Sequence, residues 1–199
     1  MRQLWPFKQI RYNILTYVIV WSTFCVTYND VFIKLETVGG NLFINMAIIS
    51  LFEMSASFIS GIISMKFDIF KSMKNFMTIE IILGVLFLLA PIQAKKDMPL
   101  NQAVLLLIAL IFTKFFSDII NNLINLYGPK VFTDEFMGIF FTMSRLFSRI
   151  FLFCLPTINY YFEVAGIHPF IFLSILWFIC KVMTHQTTEI QEEVKKNIK

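Results

Sequence analysis

The chain has 199 residues, of which 57% are apolar and only 15% charged, with 24 phenylalanines and 10 methionines against 13 acids. That composition leaves too little polar surface to cover a water-soluble globule of this length, and it excludes a disordered or fibrous chain. The net charge of +4 is a matter of where the basic residues fall, and places the chain against a lipid bilayer without calling for nucleic acid.

A helix that crosses a bilayer needs roughly 20 mostly apolar residues. Six stretches qualify. The first runs from about Tyr12 to Val31. The second runs from about Leu42 to Met65, between the turn Gly39-Gly40 and Lys66. The third covers about Asn75 to Ile92, the fourth extends from Pro99 to about Tyr127, the fifth from about Phe136 to Tyr160, and the sixth from about Ile167 to Met183. Gly39-Gly40, Ala94 to Pro99, Gly128-Pro129 and Gly166 with Pro169 punctuate the connections. No period-two alternation supports a barrel of strands. The expected fold is therefore all-α: a polytopic membrane protein with six transmembrane helices. Residues 1–11 form a cytosolic leader, 12–184 one transmembrane domain, and 185–199 a polar cytosolic tail expected as a solvated helix or frayed end.

With six spans, both termini share one side. That side receives Arg2, Lys8, Arg11, Lys66, Lys71, Lys74, Lys130, Lys181, Lys195, Lys196 and Lys199, and the other only Lys34, Lys95 and Lys96. Such a bias is the positive-inside pattern and sets both ends in the cytosol or its topological equivalent. No signal peptide is expected, because the first apolar run is too long and has no small-residue cleavage site.

Ionisable residues within spans carry the functional signal, since each needs a partner or a water-filled cavity. Glu53 sits near the middle of the second span. Lys114 and Asp118 lie four apart in the fourth, where they can pair. Arg145 and Arg149 lie four apart in the fifth and cannot neutralise each other, so their face is expected to look into the bundle, toward carboxylates, carbonyls or an anionic ligand. The structural alternative is that Lys114–Asp118 is a packing pair and that Glu53 clamps Arg145 or Arg149. Glu80 and Asp30 fall near span ends, within reach of the interface. Asn121, Asn122 and Asn125 read as interhelical hydrogen-bond partners. Trp21, Phe24 and Tyr28 share one face of the first span, as packing or as a ligand lining. Cys25, Cys154 and Cys180 read as small buried hydrophobes. With two histidines and three cysteines at no CxxC or HExxH spacing, no metal or other cofactor is expected, and no nucleophile, base and orienting group fall in catalytic order.

Trp21-Ser22-Thr23 with Tyr28, Gly39-Gly40-Asn41-Leu42-Phe43-Ile44-Asn45, Glu53, Lys114-Phe115, Tyr127 with Pro129, Gly138 and Ser144-Arg145-Leu146 follow one another along nearly the whole chain. In order and spacing they resemble the carboxy-terminal half of the organic cation/anion transporter family of the major facilitator superfamily. The resemblance implies six helices forming half of a twelve-helix bundle. It makes Trp21 and Tyr28 similar to the family's cavity aromatics, Glu53 to its helix-eight carboxylate, Lys114 to its helix-ten lysine and Arg145 to the residue that faces substrate in anion-preferring members. Cation-preferring members tend to carry an acid in that region, so an anion or zwitterion is the implied substrate. Trp21, Tyr28, Glu53, Lys114, Asp118, Arg145 and Arg149 are the expected lining or bracing residues.

The chain also departs from the family. Met65-Lys66-Phe67-Asp68-Ile69-Phe70-Lys71 stands where the family carries Asp-Arg-x-Gly-Arg-Arg, Leu126 and Thr133 replace a charged pair, His185-Gln186-Thr187-Thr188 replaces a Pro-Glu-Thr motif, and Phe147 occupies a glycine position. Alternating access rocks one six-helix half against another around a midplane site. The expected partners are thus the bilayer, a small organic ion, and a second six-helix half or other membrane subunits. Two readings follow: half of a solute carrier, or a non-transporting carrier half that serves as a structural subunit.

Overall fold

The computed structural model describes residues 8–38, 41–86, 100–131, 134–166 and 169–198. Within them every regular element is an α-helix: α1 Lys8–Thr37, α2 Leu42–Lys66, α3 Ile69–Leu86, α4 Leu100–Val131, α5 Asp134–Val164 and α6 Pro169–Ile198. Helices α1, α2, α4 and α5 are long and apolar enough to cross a membrane. An all-α membrane fold follows, since a helix satisfies its own backbone groups where no water can.

Local chemistry sets several boundaries. The Asn41 side chain accepts a hydrogen bond from the Phe43 backbone N–H at 2.9 Å and caps α2. Asp68 does the same for α3, accepting from the Lys71 N–H at 3.0 Å. That cap starts α3 at Ile69 rather than near Asn75, and brings Lys71 and Lys74 into the helix. Gly128-Pro129 does not end α4, which continues to Val131. A proline this close to a helix end removes one backbone bond without space for a kink to develop. Between α5 and α6 the turn holds Gly166 at φ 67°, the left-handed region that glycine enters without steric cost. The polar tail is helical, as α6 runs to Ile198. Gly39-Gly40 and the connection from Ala94 to Pro99 lie outside the described residues.

Contacts between side chains fix the direction of each helix. Tyr127 of α4 donates to Asn13 of α1, while Tyr28 of α1 lies against Lys114 of α4, so α1 and α4 are antiparallel. Thr16 and Thr23 of α1 meet Met183 and Cys180 of α6 in the same opposed sense. Asp30 binds Asn159 and Tyr17 packs on Phe141, so α1 and α5 are parallel. Phe52 packs on Phe115 and Ser57 binds Asn122, so α2 and α4 are parallel too. Phe70 against Tyr127 and Phe76 against Phe116 set α3 antiparallel to α4. Successive helices therefore alternate in direction.

The main packing partners are α1 with α4, α5 and α6, α4 with α2 and α3, and α3 with α6. Exchanging the first three helices for the last three maps this set onto itself: α1–α5 becomes α4–α2, and α1–α6 becomes α4–α3. The two triplets run in opposite directions, so the bundle has the packing of an inverted repeat. Helices α1 and α4 are the most buried of the four long spans, whereas α2 and α5 are the least and do not pack on each other.

Two apolar clusters stack along the bundle. One joins Tyr17, Val20 and Phe24 to Met73, Met77, Ile119, Leu123 and Trp177. The other joins Val31 and Leu35 to Ile49, Leu106, Leu110, Leu155 and Leu173. Cys180 is buried as expected, Cys25 is half-buried, and Cys154 is exposed, which corrects its reading as a buried residue.

Candidate functional site

Between those clusters lies a layer of charge. Along α2, Glu53 falls between Ile49 and Ala56. Along α3, Glu80 falls between Met77 and Leu83; along α4, Lys114 and Asp118 separate Ile111 from Ile119; along α5, Arg145 and Arg149 separate Phe141 from Leu152. Ionisable side chains from four helices thus share one depth, near the middle of the described helices.

Lys114 is the hub of one side of this layer. It is fully buried, and its Nζ lies 2.6 Å from both Asp118 oxygens and 3.5 Å from Glu53 Oε1. The ammonium also sits 3.8 Å from the Tyr28 ring centroid and 6.0 Å from that of Phe24, so aromatic faces close the remaining approach. Four of the expected site residues, Tyr28, Glu53, Lys114 and Asp118, therefore meet. The helical spacing brings Asp118 to Lys114, and the packing of α2 on α4 brings Glu53. Phe24 is buried, whereas Trp21 and Tyr28 are half-buried on the neighbouring surface of α1.

Arg145 and Arg149 stand apart. Both are exposed, and among the described residues neither forms an ion pair. They flank α1: Arg145 lies near Tyr17 and both lie near Cys25. Among the described residues they meet no carboxylate of the bundle, and Glu53 pairs with Lys114 instead of clamping either of them. The physical reason is distribution: α5 buries a stripe through Ser144, Ser148 and Leu155 against α1, which leaves the arginines on the stripe's edge, while Glu53 is drawn to the ammonium of α4. Trp21 packs on the α1–α5 side, its ring centroid 6.2 Å from Tyr17 and 5.9 Å from Phe141 of α5, and lies 6.4 Å from Phe24.

Other polar residues of the spans have structural partners. Asp30 is buried, pairs with Lys34 and accepts from Asn159 Nδ2 at 2.8 Å, so it does not reach for the interface. Asn122 Nδ2 donates to Ser57 Oγ at 3.3 Å across α4 and α2, while buried Asn121 Oδ1 lacks a partner. The apolar run alone places Glu80 near a span end. It is buried instead, with Oε1 unpartnered, because α3 begins at Ile69 and carries Glu80 well into the bundle. The available signal was the acid's own setting, Ile79-Glu80-Ile81-Ile82. Among the described residues no group of three His, Cys, Asp or Glu side chains is arranged to hold a metal ion.

Chemically, the layer offers a locked ammonium–dicarboxylate cluster on the α2–α4 side and two uncompensated guanidiniums on the α1–α5 side. By sequence, the chain matches no protein-family model. No curated protein matches it either.

Proposed function

We propose that the chain is one six-helix half of a major-facilitator-type carrier for a small organic anion or zwitterion. The observation that carries this reading is the mid-depth charged layer in an inverted-repeat bundle, because charge at that depth is costly unless it faces a cavity, a partner or a ligand. Inverted repeats that place a substrate site at mid-depth are the architecture of alternating access. Arg145 and Arg149 supply the forked donors that suit a carboxylate or phosphate. Trp21 and Tyr28 line the same open face. Glu53, Lys114 and Asp118 brace its other side, and an arriving anion competes with Glu53 for Lys114. A second six-helix half closes the face between α2 and α5, contributed by the same polypeptide, another chain or a second copy. The positive-inside bias sets both termini on the cytosolic side.

The test is uptake. The chain is purified in mild detergent from its own membrane together with whatever accompanies it, and reconstituted into liposomes. Labelled organic anions are expected to accumulate, and Arg145→Ala to reduce the initial rate at least about tenfold, the loss of a charge-assisted pair worth roughly 1.5–3 kcal/mol. Uptake indifferent to both Arg145→Ala and Glu53→Gln contradicts the reading.

A second reading has its own support: Lys114 is already held by three oxygens, and the Met65–Lys71 connection lacks the family's gating charges. A bundle with its charged layer locked serves as a structural subunit of a larger membrane assembly. Co-purification with other membrane subunits in fixed stoichiometry, without uptake, favours it over the carrier.

A further inference from the structure

The open side of the bundle carries opposite charges on its two flanks. Helices α3 and α6 close the back of α1 and α4, with Thr16 and Thr23 of α1 turned to α6 and Phe116 and Tyr127 of α4 turned to α3. Trp21 and Tyr28 each stand five residues on from one of those threonines, about 140° round the helix, and are half-buried. Their face continues on one flank to α5, where Phe141 packs on Trp21 and Arg145 and Arg149 are exposed. On the other flank it continues to α2, where Lys114 lies between the Tyr28 ring and Glu53. Of the Glu53 side chain, 38% is exposed. Helices α2 and α5 border this face and do not close over it.

The two flanks match in depth and in direction. Glu53 is level with Lys114 and so with Tyr28, while Arg145 and Arg149 lie near Cys25, one turn from Tyr28 on the same helix. Helices α2 and α5 run in opposite senses. Ser57 stands one turn beyond Glu53 and Thr142 one turn before Arg145, so both steps lead toward the same end of the bundle, and both residues are exposed.

A face with two bases on one edge and an acid on the other, at one depth, is complementary to itself. Half a rotation about the membrane normal lays α2 of one copy antiparallel on α5 of the next. It brings Glu53 opposite the partner's Arg145 and Arg149, and repeats that contact on the second edge. Such an isologous interface closes after two copies. A partner of unrelated sequence would need the reverse order of charge, which a second copy carries already. Charge at this depth persists where it meets its opposite, and small residues such as Ser57 and Thr142 let helices approach.

We propose that the α2–α5 face is a homodimer interface, joined on each edge by Glu53 of one copy and Arg145 and Arg149 of the other. A carboxylate has acceptor sites enough for Lys114 and a guanidinium together. Each edge sets two guanidiniums against one carboxylate, so one guanidinium stays turned to the interior between the copies. The proposal names the second half that the carrier reading calls for, and rests on that reading for what fills the interior; the contact itself is measured without a solute.

Crosslinking of the full chain in its native membrane tests the contact. With the three native cysteines replaced by serine, two differently tagged copies are co-expressed, one with Ser57→Cys and one with Thr142→Cys, and oxidised with copper–phenanthroline. A disulfide-linked dimer carrying both tags is expected. Ser57→Cys alone and Thr142→Cys alone are expected to give none, because the two-fold holds like positions apart on opposite edges. Adding Arg145→Gln and Arg149→Gln to both copies is expected to cut the linked fraction at least about tenfold, through the loss of charge-assisted pairs on both edges. A mixed pair that does not link, like pairs that link as readily, or a linked fraction indifferent to the arginines each overturns the proposal. Where the cysteine variants fail to reach the membrane, the mass of the wild-type particle in mild detergent decides: two copies are expected, and one copy, alone or with another protein, overturns it. A linked dimer that takes up no organic anion keeps this contact and removes the carrier reading, whereas uptake by a particle holding one copy removes the contact and keeps the carrier.

Discussion

Lys114 shows how far a single residue can be read from sequence. Its pairing with Asp118 is legible, because four residues on a helix always bring two side chains to one face. Its pairing with Glu53 is not, since that contact depends on how α2 settles on α4. Arg145 and Arg149 looked equally suited to Glu53, and only the packing of α5 against α1 excludes them. The energetic consequence is specific. Lys114→Met leaves Asp118 buried with no counter-ion, and the expected cost is about 3–5 kcal/mol. Lys114→Met combined with Asp118→Leu removes both charges and is expected to recover most of that loss. Thermal melting in detergent with a double-mutant cycle checks it; additive losses would show that the pair is not coupled.

At the scale of elements, the existence of all six helices was legible from their apolar lengths, and their ends less so. The Asp68 cap moved α3, and with it Glu80, whose depth changed from marginal to central. Close approach between helices was invisible for a different reason: Gly84 sits in an apolar run and nothing local distinguishes it. A methyl added there would fall 2.0 Å from Ser174 Oγ and 3.2 Å from its Cβ, so α3 and α6 meet where one of them has no side chain. Small residues at such crossings let backbones approach in a medium that gives no hydrophobic drive to association. Gly84→Leu is expected to destabilise the bundle by about 1–3 kcal/mol, the usual cost of overpacking. Gly61, whose Cβ position is open, serves as the control: Gly61→Leu is expected to leave the melting midpoint close to wild type.

For the whole molecule, the alternation of direction and the exchange of α1–α3 with α4–α6 describe a bundle with a tightly packed four-helix block and two flanking helices. Composition announced the lipid environment but not which face meets it. Leu146, Phe153 and Ile150 on α5, and Met54 and Phe58 on α2, are as exposed and as apolar as the outward residues of α6. A purely apolar surface cannot tell lipid from protein. Among the described residues, the two guanidiniums without ion pairs mark the α1–α5 side as different, since unpaired arginines at mid-depth do not rest in hydrocarbon. The central proposal is therefore that this face opens on water and not on lipid. With the three native cysteines replaced by serine, single cysteines at Arg149 and, on the outer surface of α6, at Phe178 are treated in native membranes with a charged, membrane-impermeant thiol reagent. The cysteine at 149 is expected to react and the one at 178 to stay unmodified; a cysteine at 149 that resists the charged reagent yet reacts, as 178 does, with a lipid-soluble maleimide contradicts the account.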